Sequence, residues 1–529
     1  MANRTAARPV WDFNHVIAYG QSLSSGWEGW PALSVEQRHD SLMIGASVHG
    51  ISENGSQWVP AGAAEFRPLV ATVMRNAPQG EVLEADAAAA LPPGANALGE
   101  TVLEGALDLL RGRQLALRRV RGDGSFAGRF VASSCGVGGR SVEQLSLGAG
   151  LFNRPRMAAM EAKRLATAAG GSYGVAALVW LFGENNAVGT SGTGDRAEFV
   201  ALSAKLQADF NRDVVAGIAG QANTPAVFTH QVSGIYVRDS TDLAIPMAQL
   251  DCAYGLPDWF MVGPAYPVTE KGGHLDANGY RWLGQQFGKV MHKVLDLGEG
   301  WKPLHPLQAT WRGTQVLVDF HVPHPPLVFG PCYVRTKATT FADGGFSVTD
   351  DTGRIGVIAA AVVAGACVLL VLERPPGENP VLWYAGQAAH GGYGNLRDSD
   401  PTEASQAYEY HAGSGQYPGA DIAELVGKPY PLWNWCVAFR VALTADPASV
   451  TVAVPVPEKA PPAEGMPIAQ APEPSAPQPE PAITQTPTPA WQVLPGEQAP
   501  TPVAQAAEPP APPPQRGFWG WLRRLFGGR

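Results

Sequence analysis

Short apolar runs alternate with amphipathic stretches over residues 1 to about 300. The apolar runs are dense in valine, alanine and aromatic residues, which is typical of buried strands in a parallel sheet. These strands are predicted at 15–19, 128–134, 175–182, 225–231 and 258–263. Between them, apolar residues recur at spacings of three and four, which predicts helices. The helices are expected at 98–111, 154–169 and 196–210 and after 276. The alternation predicts an α/β domain over residues 1–300 with a mostly parallel sheet.

The pattern changes near residue 301. Short apolar runs such as TQVLVDFHV, GFSVTDD and VLWYAGQ are separated by Gly, Pro and Asp turns, without a convincing helical stretch. This is typical of an all-β, sandwich-like domain, which we expect over residues 301–455. One segment, 355–372, is uncharged over about the minimum length that spans a membrane. Its density of valine and isoleucine favours two buried strands joined at Ala364-Gly365 instead.

Residues 456–515 are about one third proline, with Ala, Gln and Glu between the prolines. Such a segment cannot bury enough apolar surface to fold, so it is predicted to be a disordered, extended linker. It leads to 516–529, RGFWGWLRRLFGGR, where aromatic residues and leucines mix with arginines and there is no acid. We expect this end to be an amphipathic peptide that binds an anionic membrane surface or a groove of a partner protein. A sticky disordered end is the alternative.

Composition indicates which classes of partner and cofactor to expect. The formal net charge is −9, and a nucleic-acid partner usually requires a basic face, so none is expected. The five cysteines have no CxxC spacing and are expected to be buried free thiols. His321 and His324 have no carboxylate or cysteine at metal-ligand spacing. We therefore predict no metal and no cofactor. The N-terminus has no apolar run after its arginines, so no secretory signal is predicted.

Candidate chemistry lies directly after the predicted strands. The carboxyl ends of parallel strands meet at one edge of a sheet, so residues that follow the strands should converge there. They supply a nucleophile, donors for an oxyanion and a base. These residues are Gly20, Gln21 and Ser22 after the first strand, Gly136, Gly138 and Gly139 after the second, Gly183, Glu184, Asn185 and Asn186 after the third, and His274 after the last.

The order of these blocks resembles the SGNH hydrolase superfamily, in particular its sialate O-acetylesterase-like carbohydrate esterases, over residues 10–295. YGQSLS is similar to the nucleophile block, which carries Ser22. GVGGRSVEQL is similar to the glycine block, whose backbone N–H lines the oxyanion hole at Gly138 or Gly139. WLFGENNA is similar to the WxQGExD/N block, and HLDANGYRWLG to the block that carries the base, His274. The resemblance implies a three-layer α/β/α, flavodoxin-like hydrolase.

The resemblance also implies roles for individual residues. Ser22 is expected to be the nucleophile and His274 the general base, with Gly138 and Asn185 stabilising the oxyanion. The residues expected to contact substrate are Gln21, Gly139, Glu184 and Asn186. Two of these residues have an alternative. Glu184 could simply pair with a neighbouring positive group, and the asparagine at the site could be either Asn185 or Asn186. His230, within VFTHQVS, is expected to be a core histidine.

Two positions depart from the family pattern. The family has an aspartate three residues before the histidine, where this chain has Lys271. Glu270 and Asp276 are the candidates to replace that aspartate, and a Ser-His dyad without an acid is the third option. The glutamine of the QGE block, an oxyanion donor, is replaced here by Phe182. We predict that this donor is missing and that an asparagine takes over its role.

The second region resembles a β domain appended to this esterase type in phage and prophage-encoded proteins, on segments such as GFSVTDDTGR and WKPLHPLQATWRGTQVLVDF. This resemblance implies a virion- or tail-associated deacetylase that acts on surface polysaccharide. The substrate is expected to be an acylated small molecule or polysaccharide, and the sequence leaves the compartment open between cytoplasmic and virion-associated. Tyr430, Trp433 and Trp435 could stack on sugar rings or fill the β core. The main hypothesis is a carbohydrate O-acetylesterase. The rival is a catalytically decayed hydrolase that binds glycans or has a structural role.

Overall fold

The computed structural model describes residues 8–446, apart from residues 53–54, 77–79, 123 and 190. Up to residue 300 the strands are β1 (Phe13–Gly20), β2 (Leu42–Ile44), β3 (Gly50–Ile51), β4 (Val59–Pro60), β5 (Phe66–Pro68), β6 (Val73–Arg75), β7 (Val82–Leu83), β8 (Ala97–Leu98), β9 (Arg129–Ser134), β10 (Tyr173–Leu181), β11 (Ala226–Gln231) and β12 (Trp259–Pro264). The helices there are α1 (Ala85–Ala89), α2 (Val102–Arg121), α3 (Val142–Leu145), α4 (Asn153–Ala168), α5 (Glu184–Val188), α6 (Arg196–Phe210), α7 (Ala244–Gly255) and α8 (Ala277–Met291).

The central sheet has the strand order β12-β11-β10-β1-β9-β2-β5. Neighbours from β12 to β2 are parallel, and only β5 runs antiparallel to its neighbour. All five predicted strands are confirmed as β1, β9, β10, β11 and β12. Taken in chain order, they follow the flavodoxin-like arrangement, in which the order reverses between β1 and β10. Ligands bind at such a reversal point, outside the carboxyl ends of the strands.

Both faces of the sheet are apolar, which creates three layers. In β1, Val16 and Ala18 pack with α2 and α8, whereas Ile17 and Tyr19 pack with α4 on the opposite face. The predicted helices are confirmed, although the one expected at 98–111 begins later and runs to Arg121. Its start is set by a capping box, because the Thr101 side chain accepts a hydrogen bond from a backbone N–H of the first turn and the Glu104 side chain accepts one from the Thr101 N–H.

The rest of the described chain is β-rich, as predicted. Its strands are β13 (His305–Arg312), β14 (Gln315–His321), β15 (Val328–Phe329), β16 (Cys332–Val334), β17 (Lys337–Thr339), β18 (Phe346–Asp350), β19 (Gly353–Ile355), β20 (Val357–Ala364), β21 (Cys367–Leu372), β22 (Val381–Tyr384), β23 (Leu396–Arg397), β24 (Glu403–Ala407), β25 (Pro429–Pro431), β26 (Phe439–Ala442) and β27 (Thr444–Ala445), with one short helix, α9 (Gln387–His390). A five-stranded sheet, β20-β21-β14-β13-β27, and a four-stranded sheet, β19-β18-β22-β26, share one apolar core.

Segment 355–372 forms the antiparallel hairpin β20–β21. The prediction of two buried strands is correct for β21 and wrong for β20, most of whose residues are exposed. The reason is position, because β20 is the edge strand of its sheet. Throughout residues 8–446, apart from the undescribed gaps, the helices lack the combination of length and apolar character that crossing a membrane requires.

The β-rich region packs directly against α8. The rings of Trp282 and Tyr430 stack with their centroids 5.5 Å apart, and the buried Lys289 ammonium lies 3.0 Å from an Asp400 carboxylate oxygen. Tyr430 and Trp435 are buried, so these two aromatic residues fill the core. The predicted domain boundary near residue 300 stays a prediction. The linker 456–515, the end 516–529 and the last residues of 301–455 lie outside the described residues.

Candidate active site

Ser22 follows β1 at the point where the strand order reverses. Gly20 has φ of +150°, and a Cβ atom there would lie 2.0 Å from the Leu181 carbonyl oxygen, so only glycine fits. The Gln21 N–H then donates to the Leu181 carbonyl over 2.9 Å. Ser22 opens a 3₁₀ turn, Ser22–Ser25, that begins directly after this contact. The backbone therefore holds the Ser22 side chain at the edge of the sheet.

His274 lies in the loop between β12 and α8, and its Nε2 is 2.9 Å from Ser22 Oγ. The position of this loop depends on α8, whose first turn is capped by Asp276 through a 2.7 Å hydrogen bond from the Gly279 N–H. Burial lowers the pKa of His274 to about 4. The ring is therefore neutral at pH 7, and Nε2 can accept the Ser22 proton.

The glycine block lies next to the nucleophile. A Cβ atom at Gly138 would be 4.0 Å from Ser22 Cβ. Within the described residues, neither the Ser22 N–H nor the Gly138 N–H has a hydrogen-bond acceptor. Two free N–H groups beside a nucleophile can stabilise a developing oxyanion. Gly139, with φ of +67°, turns the chain so that its carbonyl accepts a 2.9 Å hydrogen bond from Asn185 Nδ2.

The two asparagines differ in their surroundings. Asn185 is half-buried at the edge of the site, and its Oδ1 accepts hydrogen bonds from the backbone and side chain of Ser191. Asn186 is fully buried: its Oδ1 accepts from the Val142 N–H, and its Nδ2 donates to Glu143 and to the Thr193 carbonyl. Asn186 thus joins two loops, whereas the Asn185 side chain links the Gly139 carbonyl to Ser191, and the predicted role of either asparagine at an oxyanion stays a prediction.

Two other residues predicted to bind substrate have protein partners. Gln21 Oε1 accepts a 3.2 Å hydrogen bond from the Asn185 N–H, which links the nucleophile turn to α5. Glu184 is 2% exposed, and its Oε1 lies 2.5 Å from His230 Nε2. Glu184 therefore pairs with His230, which was the alternative the sequence left open. Its charge also raises the pKa of His274 against the larger effect of burial.

The acids considered from the sequence do not bind the imidazole. Glu270 accepts hydrogen bonds from the N–H groups of Gly272 and Gly273 through one oxygen and a 3.0 Å hydrogen bond from the Tyr393 hydroxyl through the other. Its oxygens thus bind the loop and Tyr393, and its predicted role as the acid that orients the imidazole stays a prediction. Asp276 is committed to the α8 cap and to Thr269.

The carboxylate nearest the imidazole is one that the sequence analysis missed. Glu28 Oε2 lies 3.7 Å from His274 Nδ1, the ring nitrogen that faces away from Ser22. Glu28 stands six residues after the nucleophile in the stretch SLSSGWEG, so its closeness to Ser22 in sequence was the available signal. The family pattern directed attention to the histidine block instead.

Lys271 occupies the position where the family has its aspartate. Its ammonium donates to the Glu28 carbonyl over 2.7 Å and to the Trp30 carbonyl over 3.3 Å, and it lies 4.3 Å from the centroid of the Trp30 ring. Burial lowers the pKa of Lys271, and the charges of Asp276 and Glu28 act in the opposite direction. Lys271 thus ties the histidine loop to the loop that carries Glu28.

Phe182, the residue in place of the family glutamine, points away from the site. Its side chain is 3% exposed, and its ring centroid lies 6.0 Å from those of Trp180 and Phe199. It belongs to the core beneath α4 and α6. A residue with this orientation could not donate to an oxyanion at Ser22.

The described residues include no group of three or more His, Cys, Asp or Glu side chains arranged to hold a metal ion. The five cysteines are free, and all but Cys367 are buried. Burial raises the pKa of the Cys135 thiol to about 12, which keeps it protonated.

No protein-family model matches the chain, and no curated protein matches it in sequence. Several solved structures have a similar chain trace. A carbohydrate acetylesterase from Xanthomonas citri is 12% identical with a TM-score of 0.44, and the match covers 81% of this chain and 80% of that one. A protein from Arabidopsis thaliana is 13% identical with a TM-score of 0.34, covering 53% and 99%. A carbohydrate acetylesterase from Sinorhizobium meliloti is 10% identical with a TM-score of 0.26, covering 54% and 98%.

Proposed function

We propose that the protein is a serine esterase that removes O-acetyl groups from carbohydrate. The observation that carries the proposal is the 2.9 Å contact between Ser22 Oγ and the neutral His274 Nε2 at the reversal point of the sheet. A serine paired with a neutral imidazole, beside two N–H groups without acceptors, is the arrangement that acyl transfer requires. The carbohydrate part of the proposal rests on the four sequence blocks that resemble carbohydrate esterases.

The proposed reaction proceeds in two steps. His274 Nε2 takes the proton of Ser22 Oγ as the oxygen attacks the ester carbonyl, and the Ser22 and Gly138 N–H groups bind the oxyanion. The protonated His274 then gives this proton to the departing sugar oxygen, which leaves an acetyl group on Ser22. In the second step His274 activates a water molecule, which releases acetate and regenerates Ser22.

One aromatic residue is placed to contact a sugar. Trp27 is half-buried, and its ring centroid lies 6.3 Å from that of His274. The backbone N–H of Trp27 donates to the Ser22 carbonyl over 3.2 Å, which ties the main chain at Trp27 to the Ser22 turn. Sugar rings stack readily on such aromatic surfaces, and we assign Trp27 to the sugar side of the substrate.

The test is hydrolysis of p-nitrophenyl acetate by wild type and by Ser22→Ala at matched concentration. The hydrolysis rate of Ser22→Ala should be lower than that of wild type by at least about 10³-fold, as expected for removal of a nucleophile. Ser240→Ala is the matched control, because Ser240 is exposed and remote in sequence from the blocks. Wild-type protein that is folded yet inert, and whose Ser22 is not labelled by a phosphonate probe, would contradict the proposal. That result would favour the decayed, glycan-binding alternative.

A further inference from the structure

We propose that Glu28, on the nucleophile's own loop, orients His274, and that Lys271 positions Glu28 by holding this loop. The proposal rests on the esterase function above and identifies the acid of its site. Glu28 Oε2 and Ser22 Oγ lie against opposite nitrogens of the His274 ring, at 3.7 Å and 2.9 Å. The ring is thus placed between a carboxylate and the nucleophile, as in a serine hydrolase triad.

The proposed role of Glu28 determines which nitrogen of His274 carries a hydrogen. His274 Nδ1 carries a hydrogen that points towards Glu28, which leaves Nε2 free to accept the Ser22 proton. When that proton arrives, the ring becomes an imidazolium, and the ionised Glu28 stabilises it without taking a proton itself. The separation of 3.7 Å is long for a hydrogen bond, and we expect it to shorten when substrate binds, as catalytic hydrogen bonds often do.

The backbone around Glu28 is held firmly by neighbouring elements. Three successive carbonyls accept hydrogen bonds: that of Trp27 from the Tyr280 hydroxyl over 2.9 Å, that of Glu28 from Lys271 Nζ over 2.7 Å, and that of Gly29 from the Glu100 N–H over 2.7 Å. These contacts come from α8, the histidine loop and the start of α2. A side chain on so well anchored a loop has little freedom to leave the imidazole.

The Glu28 backbone is itself in an unfavourable conformation. Its φ is +61°, in the left-handed region that glutamate rarely adopts. The same loop contains Gly26 and Gly29. The position with the positive φ is nevertheless occupied by a glutamate and not by a glycine. Strain of this kind persists where a functional side chain has to be presented.

The charge of Glu28 is also unfavourable for folding. Burial raises its pKa, the nearby charge of Glu270 adds to this, and Lys271 opposes it. A carboxyl whose pKa is raised on folding stabilises the native state below its unfolded pKa, and this stabilisation is lost as pH rises through the folded pKa. Ionisation of Glu28 therefore gives the fold no advantage, which again indicates a functional reason for the carboxylate.

Lys271 explains how the acid can stand on a different loop. An aspartate at its position would reach His274 from the same loop, three residues away. The lysine instead extends across to the nucleophile loop and binds the Glu28 carbonyl, while its own N–H donates to the His274 carbonyl over 2.7 Å. One residue thus sets the distance between the loop of the base and the loop of the acid. The other charge near the ring is Glu184, which approaches from α5.

The experiment compares Glu28→Gln with wild type in p-nitrophenyl acetate hydrolysis. We expect kcat to fall on the order of 10²- to 10⁴-fold with little change in KM, because the lost charge acts on the transition state. Thermal stability should be kept, since glutamine is isosteric and removes a buried charge. Glu28→Asp keeps the carboxylate and should recover part of the activity. The exposed Glu36 provides the matched control, Glu36→Gln, which should behave as wild type.

The pH profile separates an orienting role from a merely structural one. In wild type, both His274 and Glu28 must lose a proton for activity, so the acid limb of kcat/KM should reflect two protons. In Glu28→Gln it should reflect one. Lys271→Met should lower kcat with Glu28 still present, because the loop loses its anchor. Glu28→Gln activity within about threefold of wild type, or a loss matched by unfolding, would overturn the inference.

Failure of the Glu28 inference can be distinguished from failure of the proposed esterase function. An inert wild type with an unlabelled Ser22 removes the esterase and this inference together. An active wild type, an inactive Ser22→Ala and a fully active Glu28→Gln would leave the esterase in place and remove only the role of Glu28.

Discussion

At the scale of single residues, the surroundings of His274 predict the pH dependence of activity. Burial lowers its pKa to about 4, the Glu184 charge raises it, and the Lys271 charge lowers it. A base works only in its neutral form, so activity should rise as the ring loses its proton. Its titration therefore falls well below the ordinary value of 6.5.

We accordingly expect kcat/KM to be constant around neutral pH and to fall only in acid, with an apparent pKa for His274 well below 6.5. The measurement is a steady-state profile from about pH 4 to 8, with circular dichroism at each pH to separate titration from unfolding. A midpoint between about pH 6.5 and 7 would show that His274 is more hydrated than the structure implies.

At the scale of elements, the end of β10 decides which side chain enters the core and which residues follow at the edge of the sheet. Side chains alternate between the two faces of a strand, and the alternation carries Phe182 into the core while the chain after it turns towards the site. Gly183, with φ of +128°, makes this turn, and Glu184 and Asn185 follow at the start of α5. A single residue, Gly183, thus separates Phe182 in the core from Glu184 and Asn185 at the start of α5.

Phe182→Gln should therefore lower the free energy of unfolding by about 2–4 kcal/mol and should not increase activity, since an amide would be buried among aromatic rings. Urea denaturation and p-nitrophenyl acetate hydrolysis together check this. Phe182→Leu is the control, as it stays apolar and should cost less. A glutamine variant with higher activity would restore the idea of a missing oxyanion donor.

At the scale of the whole molecule, the β-rich region contacts the loop that carries His274. The Tyr393 hydroxyl donates to Glu270, and the Glu270 N–H donates to the Arg335 carbonyl over 3.0 Å. Further from the site, Lys289 on α8 binds Asp400 and lies 2.7 Å from Asn434 Oδ1. Burial disfavours ionisation of Asp400, but the Lys289 charge and the Thr402 hydrogen bonds together hold its pKa below the usual range.

Asp400→Asn should lower the free energy of unfolding by about 3–5 kcal/mol, because it leaves the buried Lys289 ammonium without its counter-charge. Because the pKa of Asp400 is lowered on folding, its contribution is present above its unfolded pKa and should disappear as pH falls through the folded pKa. Urea denaturation at about pH 7 and at about pH 2, well below the unfolded pKa, measures both effects. The double variant Lys289→Met/Asp400→Leu should recover much of the loss. Equal stability of Asp400→Asn and wild type would mean that the pair does not stabilise the packing of α8.

Much of the fold followed from local patterns. The five parallel strands, the flanking helices and the β-rich second region were predicted because periodicity reflects which face of each element is buried. The burial of the edge strand β20 was predicted wrongly, because an apolar strand has the same sequence pattern whether it lies inside a sheet or at its edge. Ser22 and His274 were expected together because both follow strands of one parallel sheet.

The sequence by itself therefore determined the layers, the strand that precedes each candidate residue and the pair of residues most suited to acyl transfer. Only the tertiary structure decided which carboxylate lies nearest His274 and which way Phe182 points. The physical reason is that these outcomes depend on contacts between loops far apart in the chain. Glu28, Lys271 and Tyr393 belong to three such loops, and the contacts of Lys271 with the Glu28 carbonyl and of Tyr393 with Glu270 are set by packing of whole elements.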